Sequence, residues 1–324
     1  MIVPGAHILW TGPHRAGLRR HRDRTLDQGE YALPVEEILT CVHGAYAWRR
    51  FHGGVELVTD TFGAAYFARQ GLDALYDHLG TELDALDELD IDPLFYFAAG
   101  KCYAAALRPA PFAIFDTDLY LRRPLEGLDR GGFVFAHWES TGNAVYPPVA
   151  QVPNPSGVDL SRWIFDTPAA NMAVSVFLDD RHRAEYARTA LSFMRGNAGP
   201  AESAPIVRQT FAEQRVAPAV ARTFGVDLRP VTERFWIVEN EEWDGPSHAD
   251  RFHHTWHQKR VLRDYPELRL AYWRYLIEDL LWSFPETYDL LLSTPALKEA
   301  AELIRRIRSE LETTGPSVLS WRNA

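Results

Sequence analysis

The run Pro111-Phe112-Ala113-Ile114-Phe115-Asp116-Thr117-Asp118 ends an apolar segment on two acids one residue apart. In an extended chain, residues i and i+2 point to the same side, so these carboxylates leave the strand roughly 6 to 7 Å apart. Two anions at that separation repel by roughly 3 kcal/mol at an effective dielectric near 20, and by under about 1 kcal/mol in bulk water. The pair therefore reads either as a solvated turn, a frequent use of Asp after a strand, or as the ligands of one divalent cation. Phe112 to Phe115 is apolar enough to be buried on both faces, and ligands of open α/β sheets gather beyond the carboxyl ends of such strands. A second cluster, His253, His254 and His257, lies within five residues. The i, i+4 spacing of His253 and His257 leaves a separate zinc site open, without the neighbouring acid of a hydrolytic motif.

The elements that would position these groups alternate between strands and helices. Ala6 to Trp10 reads as a buried strand ending in the turn cluster Thr11-Gly12-Pro13, followed by an Arg- and His-rich stretch, Arg15 to Arg24, expected to be a surface loop. Val35, Ile38, Leu39, Val42, Ala45 and Tyr46 recur at helical spacing and predict a helix from about Pro34 to Phe51. Val55 to Asp60 is a second strand. A helix is expected from Ala64 to Leu79, a solvated acidic face from Glu82 to Asp92, and a helix from Pro93 to Leu107 leading into the Asp116 strand. Further strands are expected at Phe133 to His137, Asn171 to Phe177 and Arg234 to Glu239, with helices at Arg181 to Met194 and Ala204 to Phe224. Glu139 to Pro168, with five prolines, is long enough for a lid or binding loop. This alternation predicts an α/β fold with a mostly parallel sheet flanked by helices. Amphipathic helices at Leu268 to Phe284 and Pro295 to Glu312 divide the chain into a domain of residues 1–262 and a C-terminal helical extension of 263–324.

At 324 residues the chain can bury a sizeable core. Its formal net charge of -10 argues against nucleic acid as a principal partner, since phosphate backbones select surplus Lys and Arg. The N-terminus lacks a secretory signal and no stretch approaches a membrane-spanning length, so a cytoplasmic protein with no integral membrane segment is expected. Cys41 and Cys102 show no CxxC spacing and are expected to be buried and apolar in character. The sequence contains no P-loop, GxGxxG or HExxH.

Several segments, in order, resemble the nucleotide-sugar-dependent glycosyltransferases of the GT-A fold with a DxD motif, in particular the glycogenin-like and mannosyltransferase-like branches. They are His7-Ile8-Leu9-Trp10-Thr11-Gly12, Val55 to Asp60, Gly100-Lys101-Cys102-Tyr103-Ala104, Asp116-Thr117-Asp118, Asn171-Met172-Ala173-Val174, Glu213-Gln214 and His254-Thr255-Trp256-His257-Gln258-Lys259. The resemblance covers roughly residues 6 to 260 and implies a GT-A-like catalytic domain. It also implies that Asp116 and Asp118 bind Mn2+ or Mg2+ with the diphosphate of a UDP- or GDP-sugar, with His254, then His257, as a further ligand and Lys259 for the phosphates. The small Gly usual between the His and the Lys is missing here. Trp10, Thr11, Gly12 and Asp60 would line the nucleoside pocket, and Lys101 would touch ribose or phosphate.

In the same resemblance Glu213-Gln214 takes the place of an Asp-Gln pair facing the acceptor, and Asn171 that of an acceptor-side Asn. The plain alternatives are an exposed helix pair for Glu213-Gln214, a capping or turn role for Asn171 and a solvated helix lysine for Lys101. Trp138, Trp163, Trp236, Trp243 and Trp256 could stack on sugar or base rings or belong to the core. The implied activity is sugar transfer from a nucleotide donor to the hydroxyl of a small-molecule, glycan or peptide acceptor, with retention. Two other readings stand beside it. One is a haloacid dehalogenase-type phosphatase with Asp116 as nucleophile and Asp179-Asp180 as its later acid pair, although Tyr120 stands where that family wants Thr or Val. The other is a non-catalytic carbohydrate-binding protein.

Overall fold

The computed structural model describes residues 1–20, 31–196, 205–233, 235–236, 251–256 and 258–316. Seven strands form the main sheet: β1 Gly5–Leu9, β2 Val55–Thr59, β3 His78–Gly80, β4 Phe112–Phe115, β5 Phe133–Phe135, β6 Val174–Phe177 and β7 Leu228–Pro230. Their spatial order is β7-β5-β6-β4-β1-β2-β3. Strands β1, β2, β3 and β4 run parallel, as do β5 and β7, while β6 lies antiparallel between β4 and β5. The expected α/β architecture with a mostly parallel sheet is present.

Alternation along each strand sends side chains into two cores. Ala113 and Phe115 of β4 join a cluster with Leu57, Val134 and Val176, covered by the helix Val35–Phe51 and the C-terminal helices. Phe112 and Ile114 point the other way, with Phe133, Phe135 and Phe177, beneath the helices Ala99–Leu107, Asp180–Met194 and Val216–Phe224. The helix Arg269–Ser283 puts Trp273, Leu276, Ile277 and Leu280 into the first of these cores, so the C-terminal extension packs directly on the helix Val35–Phe51.

Four local expectations differ. The stretch Arg15 to Arg24, expected to be a surface loop, is part of a helix, Gly12–Arg20, as far as Arg20, and its remaining residues lie outside the described ones. The helix expected over Ala64 to Leu79 is Thr61–Gln70, closed by Gly71 in the left-handed conformation, and β3 follows. This three-residue strand carries no apolar run and exists through its pairing with Glu56, Leu57 and Val58. The helix expected from Pro93 begins only at Ala99, because Asp92 accepts a bond from the Leu94 amide at 2.9 Å and opens a turn there. The acidic stretch is a 3-10 helix, Glu82–Glu88, that buries Leu83 and Leu86 while Glu82 pairs with Arg108. No helix among the described residues is long and apolar enough to cross a membrane.

Candidate functional site

From β1 the chain moves outward to β2 and β3, then returns to place β4 on the other side of β1. The carboxyl ends of β1 and β4 therefore diverge at a topological switch point, the usual position of a ligand crevice in such sheets. A cavity of about 530 Å³ opens there, and Trp10 from the end of β1 and Asp116 and Asp118 from the end of β4 line it. Burial of β4 on both faces carries the turn to this place: all four of its residues are buried.

Beyond Asp118 the chain enters a two-stranded antiparallel ribbon, Leu119–Leu121 against Phe252–His254, separate from the main sheet. The Thr255 amide donates to the Asp118 carbonyl at 2.9 Å and closes the ribbon at the cavity. Successive side chains in a strand face opposite ways, which separates the two adjacent histidines. His254 Nε2 lies 3.5 Å from Asp118 Oδ1, whereas His253 turns away to stack on Tyr120 and to bond Tyr272. Asp116, Asp118 and His254 each offer a ligand atom, all within 4.8 Å of one another, a set able to hold a metal ion. Two carboxylates and one imidazole suit a divalent cation that accepts oxygen and nitrogen.

Two lysines surround this set. Lys101 Nζ lies 2.7 Å from Asp116 and 2.8 Å from Glu213, bridging the two acids. Lys259 Nζ lies 2.9 Å from Asp118 and 3.1 Å from Glu37. Glu37 also accepts a bond from the Thr117 hydroxyl at 2.7 Å, fixing the residue between the two aspartates. Burial pushes the Asp116 carboxyl up to about 6, against the pull of Lys101 and with the push of Asp118. Burial acts in the same direction on Asp118, yet His254 and Lys259 outweigh it and hold that carboxyl below its ordinary range. Burial would lower both lysines, but their acid partners raise them. The two aspartates thus differ in character because Asp116 has two carboxylates beside it, Asp118 and Glu213, whereas Asp118 is hydrogen-bonded by both His254 and Lys259.

Glu213, Gln214, Asn171, Glu139 and Tyr146 line the same cavity. Glu213 and Gln214 sit in a π-helical turn, Phe211–Arg215, inserted between Pro205–Thr210 and Val216–Phe224; such insertions recur at functional sites. Glu213 is buried, which overturns the exposed-pair alternative. Gln209 Nε2 donates to its second oxygen at 3.2 Å. Asn171 Nδ2 donates to Glu139 Oε1 at 2.6 Å, and the Tyr146 hydroxyl lies against both Glu139 and Gln214, with one proton to share between them. Burial raises the Glu139 carboxyl, partly offset by the Tyr146 and Asn171 hydrogen bonds.

The structure thus brings Trp10, Lys101, Asp116, Asp118, Asn171, Glu213, Gln214, His254 and Lys259 to one cavity. Thr11, Gly12 and Asp60 stand behind it. Asp60 is fully buried, accepts from the Thr11 amide and hydroxyl at 3.0 and 2.6 Å and from Gly63 at 2.8 Å, and pairs with Arg15 at 3.2 Å. It ties the loop after β1 to the helix after β2. Gly12 packs against the Trp10 indole, where a Cβ would meet the ring at 2.4 Å. His257 lies outside the described residues, as does Trp243, and the Trp236 side chain is likewise not described. Trp163 is buried in the second core, and Trp256 lines the cavity mouth.

Sequence reasoning missed Glu37, Glu139 and Tyr146. Glu37 lies on a helix 79 residues before Thr117's neighbour Asp116, and nothing in its local pattern marks it. Glu139 and Tyr146 belong to the long Pro-rich stretch. Its Tyr146, Val152 and Trp163 are buried, so it packs as wall and core, and a strand bridge of Trp138–Glu139 with Ala169–Ala170 anchors it. Asp179 and Asp180 do not line the cavity: Asp179 caps the helix Asp180–Met194 through the His182 amide at 2.7 Å, and Asp180 pairs with Arg183. The chain is thus an α/β protein with a cleft at the switch point of its sheet, able to hold a metal ion. No protein-family model matches it, and no curated protein does.

Proposed function

We propose that the chain is a metal-dependent glycosyltransferase that moves a sugar from a nucleotide-sugar donor to an acceptor hydroxyl, on a GT-A-like arrangement of the α/β sheet. The observation that carries this reading is that one cavity is lined both by a set able to hold a cation, Asp116, Asp118 and His254, with Lys259 beside it, and by the polar group Glu213, Gln214, Asn171 and Glu139. The first set suits a diphosphate with its cation, and the second suits polyhydroxyl groups.

Asp116, Asp118 and His254 would hold Mn2+ or Mg2+, with the imidazole nitrogen favouring Mn2+. Such a cation supplies Lewis-acid neutralisation of charge gathering on the departing nucleoside diphosphate. Lys259, 2.9 Å from Asp118, would present a second positive charge to the phosphates. This local charge is what lets a protein of net charge -10 accept a polyanionic UDP- or GDP-sugar. Trp10, at the end of β1, offers an indole face to the donor. Glu213, held by Lys101 and Gln209, is poised to orient an acceptor hydroxyl or to stabilise positive charge at the sugar carbon. Gln214, Asn171 and Glu139 form a linked set of donors and acceptors for further hydroxyls. Retention of configuration goes with this reading. The phosphatase alternative has less support, because its second acid pair, Asp179-Asp180, lies away from the cavity.

The test is hydrolysis or transfer with a panel of UDP- and GDP-sugars in Mn2+, comparing the unaltered protein with Asp118→Asn and Glu213→Gln. Turnover that both substitutions abolish is the expected outcome. No donor hydrolysis or transfer by the unaltered protein, together with no nucleotide binding in Mn2+, would refute the proposal.

A further inference from the structure

The ribbon that carries Asp118 and His254 at one end is only three residues per strand and does not join the main sheet. A two-stranded ribbon of that length has little stability of its own, so another element must hold its geometry. The face opposite His254 shows which. Tyr120 and His253, paired across the ribbon, both point to the C-terminal helix Arg269–Ser283. The Tyr120 hydroxyl donates to Asp279 at 2.6 Å, and Arg122 lies 3.4 Å from the same carboxylate with both side chains almost wholly buried. At the cavity end the Tyr272 hydroxyl donates to Thr255 Oγ1 at 3.0 Å and lies 2.8 Å from His253 Nε2. Thr255 is the residue whose amide holds the Asp118 carbonyl.

We propose that Tyr272 is a positioning residue for the cation site: from the C-terminal helix, its hydroxyl holds Thr255 and His253 so that His254 and Asp118 face one another at ligating distance. One hydroxyl serves both neighbours when His253 carries its proton on Nε2, donating to Thr255 and accepting from the imidazole. His254 lies between these two residues, so its backbone, and with it the direction in which its side chain leaves the ribbon, is fixed on both sides while both are held. The helix therefore acts on the metal site without touching the ion. Outer partners of metal ligands commonly set affinity by 10- to 100-fold when removed.

The inference rests on the cation-binding part of the proposed function and not on sugar transfer. Its test is Mn2+ affinity of the full-length protein, read from the free-ion electron paramagnetic resonance signal, beside the thermal midpoint of the metal-free protein. Tyr272→Phe and Thr255→Val are each expected to weaken Mn2+ binding roughly tenfold. Ile307→Val, a buried change on the helix Ala301–Thr314, which packs on the helix Arg269–Ser283, controls for stability alone and is expected to leave affinity unchanged. In a His254→Ala background the Tyr272→Phe loss should shrink, because part of what it positions is gone. The proposal is overturned if Tyr272→Phe and Thr255→Val both bind Mn2+ within twofold of the unaltered protein, or if Ile307→Val weakens binding equally at a matched midpoint. Unaltered protein that binds no Mn2+ would overturn it together with the metal reading, whereas Mn2+ binding without sugar transfer would strike only the proposed activity.

Discussion

Lys101→Met removes the cation standing between Asp116 and Glu213, and the structure sets the size of the effect. The ammonium lies 2.7 and 2.8 Å from the two carboxylates, and the three side chains are 18%, 23% and 4% exposed. Breaking a buried ion pair by removing one partner costs about 3 to 5 kcal/mol, because the remaining charge stays buried without compensation. Residual exposure of Lys101 and Asp116 puts the expected loss at the lower end, about 3 kcal/mol at pH 8. Its pH dependence has a definite sign. Asp116 is already raised by burial, and without the lysine that holds it down it titrates higher still in the folded chain than in the unfolded one, so the folded state binds more protons. Stability then falls as pH rises, and the deficit against the unaltered protein is largest at pH 8 and shrinks towards pH 5. A divalent cation at Asp116 would restore part of the missing positive charge, so Mn2+ should narrow the gap. Urea unfolding at pH 5, 6.5 and 8, with and without Mn2+, is the assay. A deficit under about 1 kcal/mol, or one that does not change with pH, would refute the view that Lys101 is held between the two acids.

Other outcomes follow from the same coordinates. His254→Ala removes one of three ligand groups and is expected to weaken Mn2+ binding by more than about tenfold, or about 1.4 kcal/mol, by calorimetric titration; an unchanged affinity would remove His254 from the site. Burial lowers His7 to about 3 and His182 to about 4. Below their ordinary value of 6.5 the unfolded chain takes up protons that the folded chain refuses. Stability should therefore fall by about 2 kcal/mol per histidine between pH 7 and pH 5, and a flat profile would contradict it. Gly44→Ala should cost about 1 to 3 kcal/mol in denaturant melts despite alanine's better helix propensity. A Cβ there would stand 2.6 Å from the Leu119 carbonyl and 3.0 Å from the His7 ring, forcing the helix Val35–Phe51 off the ribbon. A neutral or stabilising result would contradict that close approach.

Local pattern alone carried the α/β class, the apolar strand ending at Asp116 and Asp118, and the helix after Pro34, because burial on both faces and helical spacing are written into neighbouring residues. Local pattern marked Asp116 and Asp118 at the end of their strand; other residues that meet them at the cavity, among them Lys101, Glu213 and Lys259, were pointed to by the resemblance of ordered segments and not by local pattern. What the chain could not show locally is everything decided by partners far away in sequence. His254 rather than His253 faces Asp118 because ribbon register sets the alternation. Glu213 is buried and bound to Lys101 because a π turn rotates it inward against a helix 112 residues earlier. Glu37, Glu139 and Tyr146 enter the site only through packing of a distant helix and of a loop that reads in sequence as a lid or binding loop. The C-terminal helix likewise looks amphipathic and ordinary in sequence, yet its Tyr272 and Asp279 reach a ribbon 17 and 159 residues away. Periodicity reports which face of an element is buried; what that face meets is set by the tertiary fold.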